Sequence, residues 1–471
     1  MTKPSFARLA GAAAALFVLA GGAQAQDASE AERAQAREIY ERVVSFNSSP
    51  EGGDATIRMG EYLAERFRQG GFAAEDVHLL DVAGTRGLVV RYRGDGTGGR
   101  PILFLAHMDV VPARRADWER DPFTLIEENG YFFGRGASDN KSGLALLTAT
   151  FIQLRSEGFT PTRDLIIWFS GDEETSGAST MALLDQHRAL LGDAEYALNS
   201  DGGGGSLNNE TGAPEAYFLQ TAEKTYASFT LTATNPGGHS SLPRRDNAIF
   251  DLVDAINRVR AYEFPVMWND TTIASFRAGG QVVEGEAGAA MRRFAQRPGD
   301  RRAAATLSAN PGLIGQVRTT CIPTLLDAGH AENALPQSAV ATINCRIFPG
   351  VAPADVQAQL QRLAGDSVTV APVMESRFSD ASPLREDVMN ALTAAVHANY
   401  PDVPIVPSMS AGATDGLFFR AAGIPTYGVG EQFMRESDEF AHGLNERNPV
   451  QSFYNGLEHW RVLIGELAGR E

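Results

Sequence analysis

The apolar and polar positions of the chain follow two different patterns. Between residues 26 and 221, short runs that are apolar throughout alternate with segments whose apolar residues recur every three or four positions. The runs predict buried strands and the periodic segments predict helices, an alternation typical of an α/β domain whose mostly parallel sheet has helices on both faces. The strands are predicted at 87–93, 101–111, 163–169 and 195–200, and the helices at 30–46, 56–69, 142–157 and 179–191.

From about residue 222 the strand-like segments have one polar face, which is typical of an antiparallel sheet that is half exposed. We therefore expect an inserted α+β domain over residues 222–379, after which the first domain resumes over residues 380–471. Within the insert, the Arg- and Gly-rich stretch 277–302 is expected to be a solvated excursion. The strands of the insert are predicted at 227–234, 317–326, 339–348 and 367–373, and its helix at 355–364.

The first 25 residues have the pattern of a cleavable signal peptide. Lys3 and Arg8 precede an apolar run at 9–20, and small residues two apart, Ala23 and Ala25, close the segment. The run is shorter than the roughly 20 residues that a membrane-spanning helix needs, so no membrane anchor is predicted. We expect export, cleavage near Ala25, and a mature protein in the periplasm or outside the cell.

The net charge of the chain limits the classes of molecule that it can bind. A formal net charge of -17 argues against nucleic acid and anionic lipid as partners.

The chain has two cysteines, Cys321 and Cys345, each within a predicted strand of the insert. If those strands pair antiparallel about a centre near Asn333, the two cysteines face each other. In an exported protein this favours a disulfide, and the alternative is a pair of buried thiols that never meet.

Acids and a histidine fall where the predicted strands of the first domain end, or in the turn before a helix. In an open α/β sheet, groups beyond the carboxyl ends of the strands converge on one crevice. Taken singly, each residue is typical of a turn or a helix cap. Taken together, carboxylates crowded without counter-charge are costly, and a pair of divalent cations removes that cost. Imidazole and carboxylate ligands suit zinc, with cobalt or manganese as alternatives. The residues are His107, Asp109, Asp139, Glu173, Glu174 and Asp201.

Six short motifs occur in order along the chain, and in that order they resemble the M20 family of metallopeptidases. That family includes glutamate carboxypeptidase, carboxypeptidase S, carnosine dipeptidase and aminoacylase relatives. The resemblance implies a zinc-peptidase-like catalytic domain, formed by residues 26–221 and 380–471, and an inserted lid and dimerisation domain. The motifs are His107-Met108-Asp109, Ser138-Asp139-Asn140-Lys141, Gly171-Asp172-Glu173-Glu174, Asp201-Gly202-Gly203, Gly238-His239-Ser240-Ser241 and His442-Gly443-Leu444-Asn445-Glu446.

The same resemblance implies a metal-ligand set and a general base. Two zinc ions per chain are expected, one held by His107, Asp139 and Asp201. The other would be held by Asp139, Glu174 and His442, so that Asp139 bridges the two ions. Glu173 would be the general base that activates a shared water. Asp109, two residues after His107, would orient the imidazole through its other ring nitrogen.

Residues outside the ligand set are assigned to substrate recognition by the same resemblance. His239 would donate a hydrogen bond to the developing oxyanion from the lid, and in dimeric relatives such a histidine reaches the partner's site. The alternative for His239 is a surface histidine in a turn. Asn333 and Arg346 match lid residues, and Arg346 is the candidate for binding a substrate carboxylate. Gly412 and Thr414 match a further substrate loop.

The sequence leaves the amide bond that is cut undecided. Removal of a C-terminal residue, cleavage of dipeptides, and deacylation of N-acyl amino acids all remain open. Asp201, where several carboxypeptidase and deacylase relatives carry Glu, weakly favours dipeptidase or aminopeptidase-like use. A hypothesis of another class is a catalytically dead dimeric binding module on this fold. The presence of all five predicted ligands together with Glu173 argues against that hypothesis.

Overall fold

A computed structural model describes residues 28–470 of the chain. The segment for which a signal peptide is predicted therefore lies outside the described residues, and export stays a prediction. Among the described helices, none combines the length and the apolar character that a bilayer span requires.

The described residues form the following strands, in chain order: β1 (Val77–Val82), β2 (Thr85–Tyr92), β3 (Ile102–His107), β4 (Ile126–Glu128), β5 (Tyr131–Phe133), β6 (Leu165–Ser170), β7 (Tyr196–Asn199), β8 (Gly204–Leu207), β9 (Pro214–Glu223), β10 (Thr225–Thr234), β11 (Gly238–His239), β12 (Thr320–Ala328), β13 (Ala334–Leu335), β14 (Ser338–Ile347), β15 (Val368–Pro372), β16 (Ile405–Ser410), β17 (Thr426–Gly428), β18 (Phe433–Arg435) and β19 (Arg447–Pro449).

The α-helices of the same residues are, again in chain order: α1 (Glu30–Val44), α2 (Ala55–Gln69), α3 (Lys141–Ser156), α4 (Ala178–Gln186), α5 (Ala248–Ala261), α6 (Asp270–Val282), α7 (Gly285–Gln296), α8 (Arg301–Ser308), α9 (Pro353–Ala364), α10 (Glu386–His397), α11 (Gly416–Ala421) and α12 (Val450–Ala468).

The larger sheet has the order β1-β2-β6-β3-β7-β17-β9-β8-β18, with β16 pairing β9. Its centre is parallel, because β3 pairs in parallel with both β6 and β7, and β17 does so with β7. Every residue of β3 and β6 is buried, as their apolar runs predict. One face packs against α1, α2, α3, α10 and α12, and the other against α4 and α11. The predicted fold class is confirmed.

The helix α1 shows how local sequence sets one of these elements. Ser29 caps the helix, since its hydroxyl accepts from the Glu32 amide at 3.3 Å while the Glu32 carboxylate accepts from the Ser29 amide at 2.7 Å. Ile39 and Val43, one turn apart, are fully buried against the sheet. The helix therefore starts at its capping box and is held by the apolar stripe that follows.

The smaller sheet is antiparallel, with the order β12-β14-β10-β15, and its buried face packs against α5 and α9. Cys321 on β12 lies opposite Cys345 on β14, and the two form a disulfide, which confirms that prediction. The strand β12 is one of the two edges of this sheet. Most of it is exposed, including Leu325 and Leu326 at 68% and 66%.

The stretch 277–302 is not a solvated excursion, and that prediction is wrong. It belongs to three helices, α6, α7 and α8, which bury a core of their own around Phe276, Phe294 and Leu307. Thr271 anchors α6 to the larger sheet, because its hydroxyl lies 2.7 Å from that of Thr221 on β9. The arginines face solvent on the outer side of this helical unit, which is why the composition resembled an exposed loop.

The passage from the larger to the smaller sheet is short. Only Lys224 separates β9, in the larger sheet, from β10, in the smaller one. The Lys224 amide donates to the Ser410 carbonyl at 3.0 Å, and its ammonium donates to the Arg318 carbonyl at 2.9 Å. The strands therefore change sheet close to residue 222, where the insert is predicted to begin, and the domain limits themselves stay predictions.

Candidate metal centre

Three adjacent strands bring the predicted ligands to one edge of the larger sheet. His107 is the last residue of β3, the pair Glu173 and Glu174 follows β6, and Asp201 follows β7. Because β3 lies between β6 and β7 and is parallel to both, their carboxyl ends share one edge. Asp139 reaches the same edge from the turn before α3.

The ligand cluster, by which we mean His107, Asp139, Glu174, Asp201 and His442, is centred on Asp139. One Asp139 oxygen lies 2.9 Å from Nε2 of His107, and the other lies 3.2 Å from Nε2 of His442. The His107 nitrogen is also 3.9 Å from an Asp201 oxygen. The His442 nitrogen is 2.9 Å from a Glu174 oxygen. The two predicted ligand sets are thus adjacent and meet at one carboxylate.

The pKa shifts in the ligand cluster indicate an excess of negative charge. Burial, and after it the nearby Asp139 carboxylate, raises the pKa of Asp201. Hydrogen bonds to Asp139 and Glu174 raise the pKa of His442 to about 10. Carboxylates this close together draw protons onto their neighbours unless cations neutralise them. Two imidazoles and three carboxylates are a donor set that suits zinc or manganese.

Glu173 lies beside the cluster. One of its carboxylate oxygens is within 4.8 Å of ligand atoms of His107 and Asp201. Burial is the largest cause that raises its pKa, and the carboxylates of Asp201 and Asp415 add to the effect. A carboxylate with a raised pKa is a stronger base than an exposed one.

Asp109 contacts both His107 and the turn that carries Glu173 and Glu174. Its carboxylate oxygens accept from the backbone amides of Glu173 at 3.0 Å and Glu174 at 2.9 Å. The other ring nitrogen of His107, Nδ1, lies 3.0 Å from the Asp109 carbonyl oxygen and 3.6 Å from its carboxylate. Asp109 thus lies where the resemblance places it, but the closer ring contact is to its backbone, and its carboxylate holds the turn that carries the two glutamates.

Glu446 has a role that the sequence did not indicate. Its buried carboxylate accepts from the backbone amides of Ser138 at 2.8 Å and Asp139 at 3.0 Å, and from the Arg135 guanidinium at 2.6 Å. Arg135 also donates to the His442 carbonyl at 3.2 Å. Glu446 and Arg135 therefore join the Asp139 turn to the His442 segment. The only sequence signal was that Glu446 closes the last motif.

The backbone of His442 is in the left-handed region, with φ of 63°. A residue other than Gly rarely adopts this conformation unless its surroundings hold it there. The Arg135 contact to the His442 carbonyl supplies one such restraint. The conformation directs Nε2 of His442 toward Asp139 and Glu174.

Two short strands that lie far apart in the sequence, β11 and β13, pair antiparallel and form a two-stranded sheet, which we call the lid ribbon. The lid ribbon brings His239 and Asn333 together. His239 pairs with Ala334, and the Asn333 carbonyl accepts from the Ser240 amide at 3.0 Å. Both His239 and Asn333 are exposed, and the His239 ring contacts the Ser241 hydroxyl at 2.7 Å. Within residues 28–470, no hydrogen bond or ion pair joins His239 to the ligand cluster.

Arg346 lies beside the predicted substrate loop. Its guanidinium donates to the Ala411 carbonyl at 2.7 Å and lies 4.8 Å from the ring centre of Tyr226. The exposed Gly412 follows, with its amide bonded to the Ser410 hydroxyl at 2.9 Å. The Thr414 hydroxyl instead points inward and donates to Glu223 at 2.6 Å. The structure thus brings Arg346 and Gly412 together, while Thr414 holds the loop in place.

The comparison with known proteins gives the family. Residues 103–466 match the model of peptidase family M20/M25/M40, and the chain belongs to this family, whose members are hydrolases. The family prediction is confirmed.

Individual relatives cover nearly the whole chain. The human N-fatty-acyl-amino acid synthase/hydrolase PM20D1 is 27% identical over 447 residues, which are 89% of this chain and 84% of that protein. Aminoacylase-1 of Mus musculus is 26% identical, over 91% of this chain and 93% of that protein. The M20 family metallo-carboxypeptidase Sso-CP2 from Sulfolobus solfataricus has a TM-score of 0.69 at 18% identity, over 91% of this chain and 98% of that one. The last similarity concerns the fold alone.

Proposed function

We propose that this protein hydrolyses the amide bond that joins an amino acid with a free carboxylate to an acyl or aminoacyl group, in small peptides or N-acyl amino acids. The observation that carries the proposal is the position of Asp139 between two histidines, with Glu173 beside it. A site built only to bind metal has no use for a further half-buried carboxylate next to its ligands.

Two zinc ions fit the donor set, with cobalt or manganese as substitutes. His107, Asp139 and Asp201 would hold one, and Asp139, Glu174 and His442 the other. When bound, such ions polarise the scissile carbonyl and lower the pKa of a shared water.

Glu173 acts as the general base. Its raised pKa suits a group that takes a proton from water and hands it to the leaving nitrogen. The Asp109 carboxylate accepts from the backbone amide of Glu173. This hydrogen bond holds Glu173 in position before substrate binds. The resulting enzyme is a dizinc carboxypeptidase, dipeptidase or N-acyl-amino-acid amidohydrolase.

Arg346 binds the substrate carboxylate next to the Gly412 loop, since a guanidinium can hold both carboxylate oxygens at once. Asn333 and Thr414 contribute by positioning, Asn333 beside the lid ribbon and Thr414 in the loop.

His239 serves as the oxyanion donor from the lid, and it comes from a second copy of the chain. Its exposure and its lack of described contacts with the ligand cluster of the same chain support that arrangement. The exposed apolar edge of β12, with Ile322, Leu325 and Leu326, supports a homodimer through the lid domain.

Deacylation of N-acyl amino acids is the second candidate reaction. PM20D1 and Aminoacylase-1 are similar to this chain over most of its length, and the activities given in their names favour this reaction. Dipeptide cleavage is supported by Asp201 in place of Glu.

The test uses the zinc-loaded mature protein and a mixed panel of dipeptides, N-blocked peptides and N-acyl amino acids, with products identified by mass. We expect release of a free amino acid, loss of this activity with a chelator, and its return with zinc. The Glu173→Gln variant is the matched control. If protein with its full metal content cleaves none of these substrates, the proposal is contradicted and a binding module is favoured.

Export is proposed on the pattern of residues 1–25. Mass analysis of the N-terminus of protein recovered from the periplasm or medium is expected to give a start at Gln26. Recovery of the uncleaved chain in the cytoplasm would contradict it.

A further inference from the structure

The Gly412 loop, by which we mean residues 411–414, is fixed at both ends and exposed between them. Before the loop, Ser410 belongs to β16, which pairs in parallel with β9 of the larger sheet. After the loop, the buried carboxylate of Asp415 accepts from the Thr180 hydroxyl on α4 at 2.7 Å. The contacts at these ends therefore decide where the exposed backbone lies, next to the proposed carboxylate site.

Glu223 holds the loop from the interior of the protein. It is the last residue of β9 and is 1% exposed. One of its oxygens accepts from the Thr414 hydroxyl at 2.6 Å and from the Gln220 side-chain amide at 2.7 Å. The other accepts from the Thr414 backbone amide at 3.3 Å and lies 2.7 Å from a guanidinium nitrogen of the buried Arg420. A single buried carboxylate therefore binds Thr414 by both its side chain and its backbone, and a buried arginine balances the charge.

The Thr414 hydroxyl also connects the loop to the ligand cluster, through Asn199. An ionised carboxylate can only accept, so the hydroxyl donates its proton to Glu223 and its oxygen is left to accept. It accepts from the side-chain amide of the buried Asn199 at 3.1 Å. The side-chain oxygen of Asn199 in turn accepts from the Asp201 backbone amide at 3.0 Å. Glu223, Thr414 and Asn199, which we call the loop anchor, therefore tie the Gly412 loop to a candidate metal ligand.

The exposed side of the loop orients Arg346. The guanidinium donates to the Ala411 carbonyl at 2.7 Å, and the ring of Tyr226 supports it. In the part of the chain that the structure describes, no carboxylate pairs with this guanidinium, so its charge is available to a substrate. Because one loop carbonyl and one aromatic ring hold Arg346, a shift of the loop would change the direction in which it points.

We propose that the loop anchor is a positioning device for substrate recognition, with Glu223 as its fixed point. It sets the place of Arg346 relative to Asp201, so that a carboxylate at the arginine and an amide bond at the ligand cluster are bound at the same time. This inference rests on the proposed function, in which Arg346 binds the carboxylate of the amino acid that is released. Glu223 itself does not touch the substrate and acts through Thr414 and the Ala411 carbonyl.

The experiment compares acids with their carboxamides. The substrates are N-acetylalanine and alanylalanine, each beside its own C-terminal carboxamide, which has the same length and no charge. We expect the wild type to prefer the acid in kcat/KM. Thr414→Val keeps the shape of the side chain but loses the hydroxyl, and the preference should fall by about tenfold because at least two hydrogen bonds of the loop are lost.

The carboxamide is the internal control, since damage to the whole site would lower kcat/KM for both substrates, whereas a shift of the loop lowers it for the acid. Thr414→Ser, which retains the hydroxyl, should restore the preference. A wild type without preference for the acid, or an undiminished preference in Thr414→Val, would overturn the inference.

Thr148→Val is the matched control variant. Thr148 is fully buried in α3, and its hydroxyl donates to the Leu144 carbonyl of the same helix at 2.8 Å. The same change at this position removes a buried hydroxyl far from the loop in the sequence and should leave the acid preference unchanged. An equal fall in Thr148→Val and Thr414→Val would mean that the loop anchor has no specific role.

Two further variants test the path of the effect. Glu223→Gln alone leaves the Arg420 guanidinium buried without a counter-charge, which is costly, so it is combined with Arg420→Met. The folded double variant should lose acid preference as Thr414→Val does, and an unchanged preference would remove Glu223 from the anchor. In an Arg346→Ala background, Thr414→Val should cause no further fall, because the anchor acts through Arg346. Additive falls would overturn the inference, even where the Glu223 variant does not fold.

A binding measurement separates this inference from the proposed function. Calorimetry gives the Kd of each acid and carboxamide for zinc-loaded Glu173→Gln, with and without Thr414→Val. If the wild type cleaves no substrate but Thr414→Val abolishes tighter binding of the acid, the inference stands and the proposed reaction fails. If the wild type cleaves the substrates but Thr414→Val keeps the acid preference in kcat/KM and Kd, the reaction stands and the inference fails. Neither cleavage nor tighter binding of the acid would overturn both.

Discussion

The ligand cluster and the lid ribbon are held in very different ways. In the cluster, buried carboxylates restrain the backbone on either side of the ligands: Asp109 holds the glutamate turn, and Glu446 holds the Asp139 turn. The lid ribbon consists of two strands of two residues each, and His239 at the end of β11 is exposed. Residues expected to bind metal are thus positioned by the fold, whereas the residue expected to meet the oxyanion is not.

The difference implies that a working site would be completed in two stages. Buried hydrogen bonds between the segments that carry the candidate ligands orient those side chains before an ion binds, which favours affinity and geometry. A donor on the exposed lid ribbon would reach the cluster only by lid closure or by docking of a second copy. Changes in the cluster should therefore affect metal content and turnover together, and changes in the lid ribbon should affect turnover alone.

The largest effect is expected from Asp139→Ala. This change removes the carboxylate shared by both ligand sets, so both ions should be lost and turnover should be undetectable. Metal content is measured by plasma emission spectrometry, with Asp201→Ala, which removes an unshared ligand, as the comparison. One ion fully retained in Asp139→Ala would contradict the bridging role.

Glu173→Gln should lower kcat by about 10²–10⁴-fold while the metal content stays unchanged. The amide keeps the shape of the side chain but cannot accept the proton of water. Steady-state kinetics and metal analysis on the same preparation give both quantities. Loss of metal would show that Glu173 is a ligand and not the base.

His239→Ala should lower kcat by about 10²–10³-fold, the usual cost of removing one oxyanion donor, without loss of metal. The matched control is His330→Ala, another exposed histidine of the insert, which should keep wild-type kcat. If both variants are equally active, His239 is an ordinary surface histidine and the contrast between the ligand cluster and the lid ribbon has no functional meaning.

Glu446→Gln should weaken zinc affinity by about 10–100-fold, as changes behind metal ligands commonly do. The amide loses charge and one acceptor, so the link among Arg135, the Asp139 turn and His442 is weakened. Competition with a chelator measures the Kd, and the exposed Glu436→Gln is the control. An unchanged Kd would mean that the ligands do not depend on this anchor.

The strands that carry the cluster were predictable because two local signals coincide. The runs 102–106 of β3 and 165–169 of β6 are apolar throughout. His107 follows the first run directly, and the Glu173-Glu174 pair follows the second after a short polar turn. The identity of the ligand residues came from motif resemblance, whereas the shared edge follows from the parallel pairing of the strands.

Other features depend on contacts that no local pattern contains. The helical unit α6–α8 was missed because its buried faces are short and rich in alanine, such as Ala303 and Ala304, and are surrounded by arginines. Glu446 contacts residues more than 300 positions away, and the carboxylate of Asp109 contacts backbone amides. Such contacts are visible only once the chain is folded.

The glycine run that follows Asp201 has a consequence for sequence drift. At Gly203, where φ is 77°, a Cβ would lie 2.3 Å from the Gly428 carbonyl oxygen, so this position should tolerate hardly any mutation. Phe218, which lies opposite Gly204 on β9, is partly exposed and can change without such a contact. Sequence drift next to the ligand cluster should therefore fall on the side chains around this run and leave the run itself unchanged.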